Sequence, residues 1–215
     1  MGKRIIQQRR GRGGHTYKTR EKAGKIRVGY LFDLAGEFKC VSLTSSVGHS
    51  VPIAKFMNKE GISFSNFAVD LLYVGQTIKI GGNNFGDIAK IGDLKNGSEI
   101  FNIEHNPGDG GKFVRSGGNA GVVMAKEGDV VKVLMPSKRI KKFKVNARVT
   151  VGRAAGDGRV SKPILKAGKK FFIMKKKSKL WPRVSPVKMN AIDHPFGSGR
   201  GKRIKSKIAK RNASP

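Results

Sequence analysis

The sequence predicts a mainly β protein of two small barrels with extended basic ends. Three observations predict it. Short β-prone runs recur between turn signals through the middle of the chain; no long stretch keeps the 3.6-residue apolar period of a helix; and 29 of the 215 residues are glycine, about twice the usual ~7% share. The hydrophobic content of 38% lies below the usual ~45–50%, yet it is enough for compact cores.

In chain order, residues 1–25 read as a basic N-terminal extension, because they combine Lys, Arg and Gly with few apolar positions. A first barrel follows over residues 26–82, with strands expected at 26–34, 39–44, 51–56, 68–74 and 77–80. Gly81-Gly82-Asn83-Asn84 marks the boundary, since consecutive Gly and Asn favour turns and close no strand ladder. The second barrel occupies residues 83–175, with strands expected at 100–103, 122–125 and 130–135. The last of these and residues 139–145 flank Pro136-Ser137-Lys138 and read as a hairpin. Residues 176–215 mix Pro, Gly and cations with few apolar positions and read as a C-terminal extension.

The formal net charge is +31, from 45 Lys and Arg against 14 Asp and Glu. Its distribution is uneven. Residues 1–27 hold 10 basic and 1 acidic side chains, residues 28–135 hold 10 and 11, and residues 136–215 hold 25 and 2. A nearly neutral middle can fold like any globular domain, whereas the ends cannot bury enough apolar surface to offset their ordering entropy and are expected to order on a partner. Self-repulsion of this size makes sense when a polyanion neutralises it, and nucleic acid is the commonest one. Anionic membrane is the second candidate, but no run approaches the ~20 apolar residues of a span, the best being residues 171–174.

The single cysteine, Cys40, excludes an intramolecular disulfide and a thiolate cluster around zinc, and points to a reducing compartment. MGKRIIQQRRGRGG has no apolar core of signal-peptide length, and Ile6 stands where myristoylation needs Ser or Thr. A soluble intracellular protein is expected.

Three glycine-rich stretches invite a phosphate-loop reading: residues 81–86, 108–111 and 156–159. None fits a Walker or dinucleotide pattern, since every Gly-Lys pair lacks a following Ser or Thr, so turns account for them. His15, His49, His105 and His194 are scattered, without the nucleophile or third ligand that catalysis or zinc would need. Trp181, the sole tryptophan, reads either as an anchor that packs the tail onto the second barrel or as a stacking platform for a nucleobase. The runs Lys141-Lys142, Lys169-Lys170 and Lys175-Lys176-Lys177 exceed what solvation needs and point to phosphate contact.

Four strings carry a resemblance: MGKRIIQQRRGRGG, NPGDGGKFVRSGGNAGVV (106–123), GDGRVSKPILKAGKK (156–170) and WPRVSPVKMNAIDHPFGSGRG (181–201). Together they resemble the universal large-subunit ribosomal protein two family. Phe196 after Asp193-His194-Pro195 is similar to the archaeal and eukaryotic branch, because bacterial members usually carry His there. The resemblance covers residues 1–14 and 99–215 strongly and residues 15–98 weakly. It implies an oligonucleotide-binding-fold (OB-like) barrel followed by an SH3-like barrel, with ends that thread into large-subunit rRNA near the peptidyl-transferase centre and the subunit interface. Partners so implied are large-subunit rRNA, neighbouring ribosomal proteins and small-subunit rRNA through an intersubunit contact, with no membrane and no small-molecule substrate. No cofactor is expected, Mg2+ entering only as part of the surrounding rRNA.

The rRNA-binding residues expected on this basis are Arg4, Arg9, Arg10, Arg12, Lys112, Arg115, Arg153, Arg159, Lys162, Lys166, Lys169, Lys170, Lys175, Lys176, Lys177, Trp181, Arg183, Lys188, Asn190, His194, Arg200, Lys202 and Arg203. Asp193, His194, Pro195, Phe196 and Gly197 match the loop that approaches the peptidyl-transferase centre. The chain departs from the family pattern at Ser198 and Arg200, which break the glycine run, at Ser161, which replaces a customary Asp, and at Phe171-Phe172, where archaeal members often have histidines. No catalytic residue is expected. A basic nucleic-acid chaperone is the alternative in the binding class, although pure neutralisation would not need the interleaved Gly, Pro, Trp and Met motifs. An RNA-modifying enzyme would require a cofactor pocket or a clustered acid, base and nucleophile, and the sequence offers neither.

Overall fold

The computed structural model describes residues 2–19, 26–31 and 35–198. The chain divides into two compact units, residues 21–163 and the two ends, 1–20 with 164–215.

Among its described residues the first of these units is built of β-strands with one short 3-10 turn, Ile91–Asp93. Its strands are β1 Gly36–Thr44, β2 Ile53–Met57, β3 Ser63–Phe67, β4 Thr77–Ile80, β5 Ile88–Lys90, β6 Glu99–Phe101, β7 Gly121–Glu127, β8 Val130–Leu134, β9 Ile140–Lys144 and β10 Arg148–Val151. They form one sheet in the order β3-β2-β1-β4-β5-β10-β6-β7-β8-β9. The architecture is an OB-like barrel followed by an SH3-like barrel, and the sheet passes from one to the other through a single parallel pair, Ile80 with Ile88. Strand residues alternate inward and outward: Phe38 and Cys40 are buried on β1, Val131 and Val133 on β8. Register shifts between Cys40 and Ser42 and between Val123 and Ala125 bend β1 and β7, as barrel curvature requires.

Three buried clusters fill this unit. Phe38, Phe56 and Phe64 pack in the first barrel, with ring centroids 5.1 and 5.4 Å from Phe64. The second barrel holds Ile91, Ile100, Ile103, Val123, Val131, Val133, Phe143 and Val149. Val51, Phe67, Val69, Phe101 and Ala154 form the third cluster, which draws on both barrels, and the backbone bridge Val69 with Ala154 ties them.

Beside these clusters runs a buried polar seam. Tyr30 Oη donates to the Asn102 carbonyl at 2.8 Å and lies 2.8 Å from Thr150 Oγ1, Asn66 Nδ2 donates to the same hydroxyl at 3.1 Å, and Asn102 Nδ2 donates to Asn66 Oδ1 at 2.9 Å. Burial pushes the Tyr30 phenol far above its ordinary range. At the end of the seam sits Glu104, fully buried, whose carboxylate accepts from the backbone N–H groups of Gly108, Gly110 and Arg148 and from the Arg148 guanidinium at 2.9 and 3.2 Å. Arg148 also donates to the Leu31 carbonyl at 2.6 Å. Gly111 has φ +91°, and a Cβ there would collide with the Asn102 side chain, so only glycine closes this turn.

The structure differs from several expectations. Over residues 26–31 no strand forms; this stretch lies along the seam through Val28, Tyr30 and Leu31, and residues 32–34 fall outside the described residues. Residues 68–74 turn a corner, with Leu71 at φ +60°, because Ala68 and Asp70 donate to Pro52 and Arg153 carbonyls instead of a ladder. The expected end of the second barrel at residue 175 lies inside a helix, α2 Ala167–Lys176, while the last barrel strand ends at Val151. A shorter helix, α1 Ile6–Gly11, occupies the N-terminal extension. Residues 2–19 and 164–198 pack on one another through Lys3 with Asp193 at 3.1 Å, Lys3 N–H to the Ile192 carbonyl at 2.7 Å and Ser178 Oγ to the Lys18 carbonyl at 3.0 Å.

The seam generates a stability prediction. Replacing one partner of a buried ion pair costs about 3–5 kcal/mol because the other charge stays buried and unpaired. Glu104→Gln should lose that much in urea unfolding of the full chain followed by β-sheet circular dichroism; a loss below about 1 kcal/mol would mean the seam is relaxed or hydrated.

Candidate nucleic-acid interface

Positive charge concentrates where acids are absent. The unit made of the two ends carries 23 Lys and Arg with one acid, Asp193, whereas residues 21–163 carry 22 with 13 acids. No residue of α2 is buried, so Lys169, Lys170, Lys175 and Lys176 all project to solvent. Trp181 is half-buried, with Lys170 Nζ 5.3 Å from its ring centroid.

Residues 189–198 fold into a tight loop. Asp193 and His194 N–H groups donate to the Asn190 carbonyl at 3.0 and 3.2 Å, Gly197 N–H to His194 carbonyl at 2.8 Å, and Ser198 N–H to Met189 carbonyl at 3.0 Å. A Cβ on Gly197 would collide with the Asn190 carbonyl, so glycine is required by close approach. His194 is buried, its ring 5.1 Å from that of Phe196. Its Nδ1 accepts from the Phe196 N–H at 3.1 Å, which leaves the proton of the neutral ring on Nε2.

The glycine-rich loops of the barrels direct their N–H groups to carboxylates. Asp87 accepts from Lys79 and Asn84 N–H at 2.7 and 3.0 Å, Asp109 from His105, Asn106 and Gly111 N–H at 3.1–3.2 Å, and Asp157 from Gly158 N–H at 2.7 Å. A phosphate cradle needs such donors pointing outward. These loops are therefore closed as turns.

Comparison with known proteins completes the picture. Residues 84–215 match the family described as Ribosomal Proteins L2, C-terminal domain. Over its whole length the chain is 39% identical to the large ribosomal subunit protein uL2 of Archaeoglobus fulgidus, covering 93% of that protein. It is 40% identical to that of Sulfurisphaera tokodaii and 38% identical to that of Saccharolobus islandicus, in each case over the full chain and 92% of the relative. The chain belongs to the uL2 family.

Apart from half-buried Trp181 and buried His194, the expected rRNA-binding residues of this uL2 family member divide three ways. Arg4, Arg9, Arg10, Arg12, Lys112, Arg159, Lys162, Lys166, Lys169, Lys170, Lys175, Lys176, Lys177, Arg183, Lys188 and Asn190 are exposed. Arg115 and Arg153 are engaged internally: Arg115 donates to the Gly111 and Val28 carbonyls at 3.0 and 3.4 Å and lies 4.8 Å over the Phe67 ring, while Arg153 pairs with Glu99 at 2.9 Å and Asp157 at 3.8 Å. Burial holds the Arg115 guanidinium below its usual range, and the Glu99 hydrogen bond raises that of Arg153. Arg200, Lys202 and Arg203 lie outside the described residues. Arg148, whose contacts organise the seam, was not among the residues expected from sequence, and no local pattern around it signals a buried partner 44 positions away. Among the described residues no helix is long and apolar enough to cross a membrane.

Two predictions arise here. Gly197→Ala should speed amide exchange at His194, Gly197 and Ser198 by about tenfold or more, from the ~1–3 kcal/mol of forcing a methyl group into a packed site, while barrel amides keep their protection. His49 packs edge-on to Phe67 at 5.3 Å, and its pKa is lowered first by burial and then by the Arg115 charge. Because the unfolded chain takes up a proton there near pH ~6.5 before the folded one does, His49 stability is complete above that pH and declines below it. Chemical denaturation across pH 7.5 to 5 should show that slope reduced in His49→Phe.

Proposed function

We propose that this chain is a structural constituent of the large ribosomal subunit in the cytoplasm, binding large-subunit rRNA near the peptidyl-transferase centre and the subunit interface. It supports assembly, subunit association and tRNA positioning and leaves the chemistry to RNA. Neighbouring ribosomal proteins and small-subunit rRNA across the interface are its further partners, and Mg2+ takes part only as a component of the surrounding rRNA. One observation carries this reading: an end unit with 23 cations and a single acid, in a chain that aligns along its whole length with uL2 proteins.

The acid is itself informative. Asp193 is paired with Lys3 in the loop that holds His194, so it offsets one exposed lysine and leaves the other cations of the end unit without an acid. Those lysines and arginines then remain available to phosphate, and their spread over α1, α2 and the loops between suits a folded RNA surface better than a uniform rod. The interleaved Trp181, Met189 and Phe196 favour this over a general chaperone, which needs charge alone.

Sucrose-gradient sedimentation of a lysate at moderate magnesium tests the assignment directly: the chain should travel with the large subunit. For the free protein, engagement of about 8–10 phosphates should lower affinity for structured RNA roughly 10³–10⁵-fold between 50 and 200 mM salt in filter binding. A flat response would remove the electrostatic basis of the proposal.

A further inference from the structure

Two cavities of the end unit meet at a pair of arginines. The larger, about 750 Å³, is lined by Tyr17, Lys177, Lys179 and Trp181 together with Arg10 and Arg183. A second, about 400 Å³, is lined by Ile6, Pro186, Met189 and His194, again with Arg10 and Arg183. Those two arginines are the residues common to both. Each volume falls in the ~300–1,000 Å³ range of cavities that take small ligands. Among the described residues neither lining contains an acid.

We infer that the end unit seats two successive unpaired RNA nucleotides, one base in each cavity, with Arg10 and Arg183 on the phosphate that links them. This rests on the rRNA-binding reading and gives it a local target. The chemistry of each part fits one component of such a step. In the first cavity Trp181 and Tyr17 offer aromatic faces of the kind on which an unstacked base lies, and Lys177 and Lys179 supply charge for its flanking phosphate. In the second, Ile6, Pro186 and Met189 give an apolar bed, and His194 Nε2–H, fixed by the Phe196 N–H bond at Nδ1, is a donor for a base edge or ribose oxygen. Guanidinium groups match phosphate oxygens in geometry as well as charge. A paired helix keeps its bases stacked and could fill neither cavity. A free mononucleotide would use one cavity and leave the shared arginines half-engaged.

The sole tryptophan makes the test direct. The full chain is titrated at about 150 mM salt with four RNA hairpins of equal phosphate count: fully paired, with one bulged adenosine, with two bulged adenosines, and with two bulged abasic residues. Stacking should make the two-adenosine bulge bind about tenfold or more tighter than the paired hairpin and quench Trp181 emission, with the abasic bulge losing both effects. 2-Aminopurine in the bulge gives a second signal that does not depend on Trp181. In the double variant Arg10→Ala, Arg183→Ala the preference for the two-nucleotide bulge over the single bulge should disappear. Equal affinity for all four hairpins, with steep salt dependence retained, would overturn the seat and leave the rRNA reading standing. Quenching by adenosine monophosphate at the affinity of the bulged hairpin would overturn it in favour of a mononucleotide site. Absence of salt-dependent binding to every hairpin would remove the rRNA reading and the seat together.

Discussion

The carboxylate of Glu104 is the group on which the geometry of both barrels converges. An isolated carboxylate in the interior is too costly to keep ionised, so the structure around it is constrained to deliver donors. Three come from backbone N–H groups and two from the Arg148 side chain. Meeting them fixes the loop from Gly108 to Gly110 against β10, and Arg148, so held, reaches back to the Leu31 carbonyl and lies 5.4 Å from the Tyr30 ring. Tyr30 in turn closes the hydrogen bonds among Asn66, Asn102 and Thr150. One buried charge therefore ties together the path of a segment without secondary structure, the shape of a glycine-rich loop and a strand near the junction of the two barrels.

The same logic sorts the charges of the whole chain. In residues 21–163 the acids Asp87, Glu99, Glu104, Asp109 and Asp157 satisfy loop backbones or pair with Arg148 and Arg153, which takes those donors and those two cations away from a phosphate, while Lys112, Arg159 and Lys162 stay exposed. The end unit has no such supply of acids, and its exposed cations keep their charge for an external partner. The contrast between loops closed by their own carboxylates and an end unit with a single acid follows from where fourteen acids sit in sequence. It also explains why net charge alone overstates the surface that can meet RNA.

How much of this could be read from the chain depends on the range of the interactions. The hairpin of β8 and β9 was legible because both strands alternate and Pro136-Ser137-Lys138 lies between them. Strands β5 and β10, of three and four residues, carry Lys90 and Arg148 among their apolar positions and are strands because they pair with each other. β3 hides its pattern under Ser63, Ser65 and Asn66, the last of which is buried as part of the seam. Helix α2 was missed since Phe171, Phe172 and Ile173 form an apolar run with no helical period, and the helix buries none of them. At the site, exposure of most expected cations follows from composition. The engagement of Arg115 on Phe67 and of Arg153 with Glu99 does not, because those partners are distant in sequence and only the barrel brings them close.

His194 shows what such placement does to chemistry. An imidazole can act as a base only through a nitrogen lone pair, and the one on Nδ1 is already taken by the Phe196 N–H within a turn that Gly197 closes against Asn190. Nε2 of the neutral ring carries the proton, so the group faces its surroundings as a donor. Turning the ring over to expose Nδ1 would break that bond and disturb the packing on Phe196, inside a loop whose carbonyls and N–H groups are mutually engaged from Met189 to Ser198. The loop is held on the other side by Lys3 through its backbone N–H to Ile192 and its ammonium to Asp193. A side chain fixed in one tautomer and one orientation is suited to positioning a fold of RNA, and the contacts that fix the loop around it come mainly from residues 189–198, with Lys3 of the N-terminal segment adding two more.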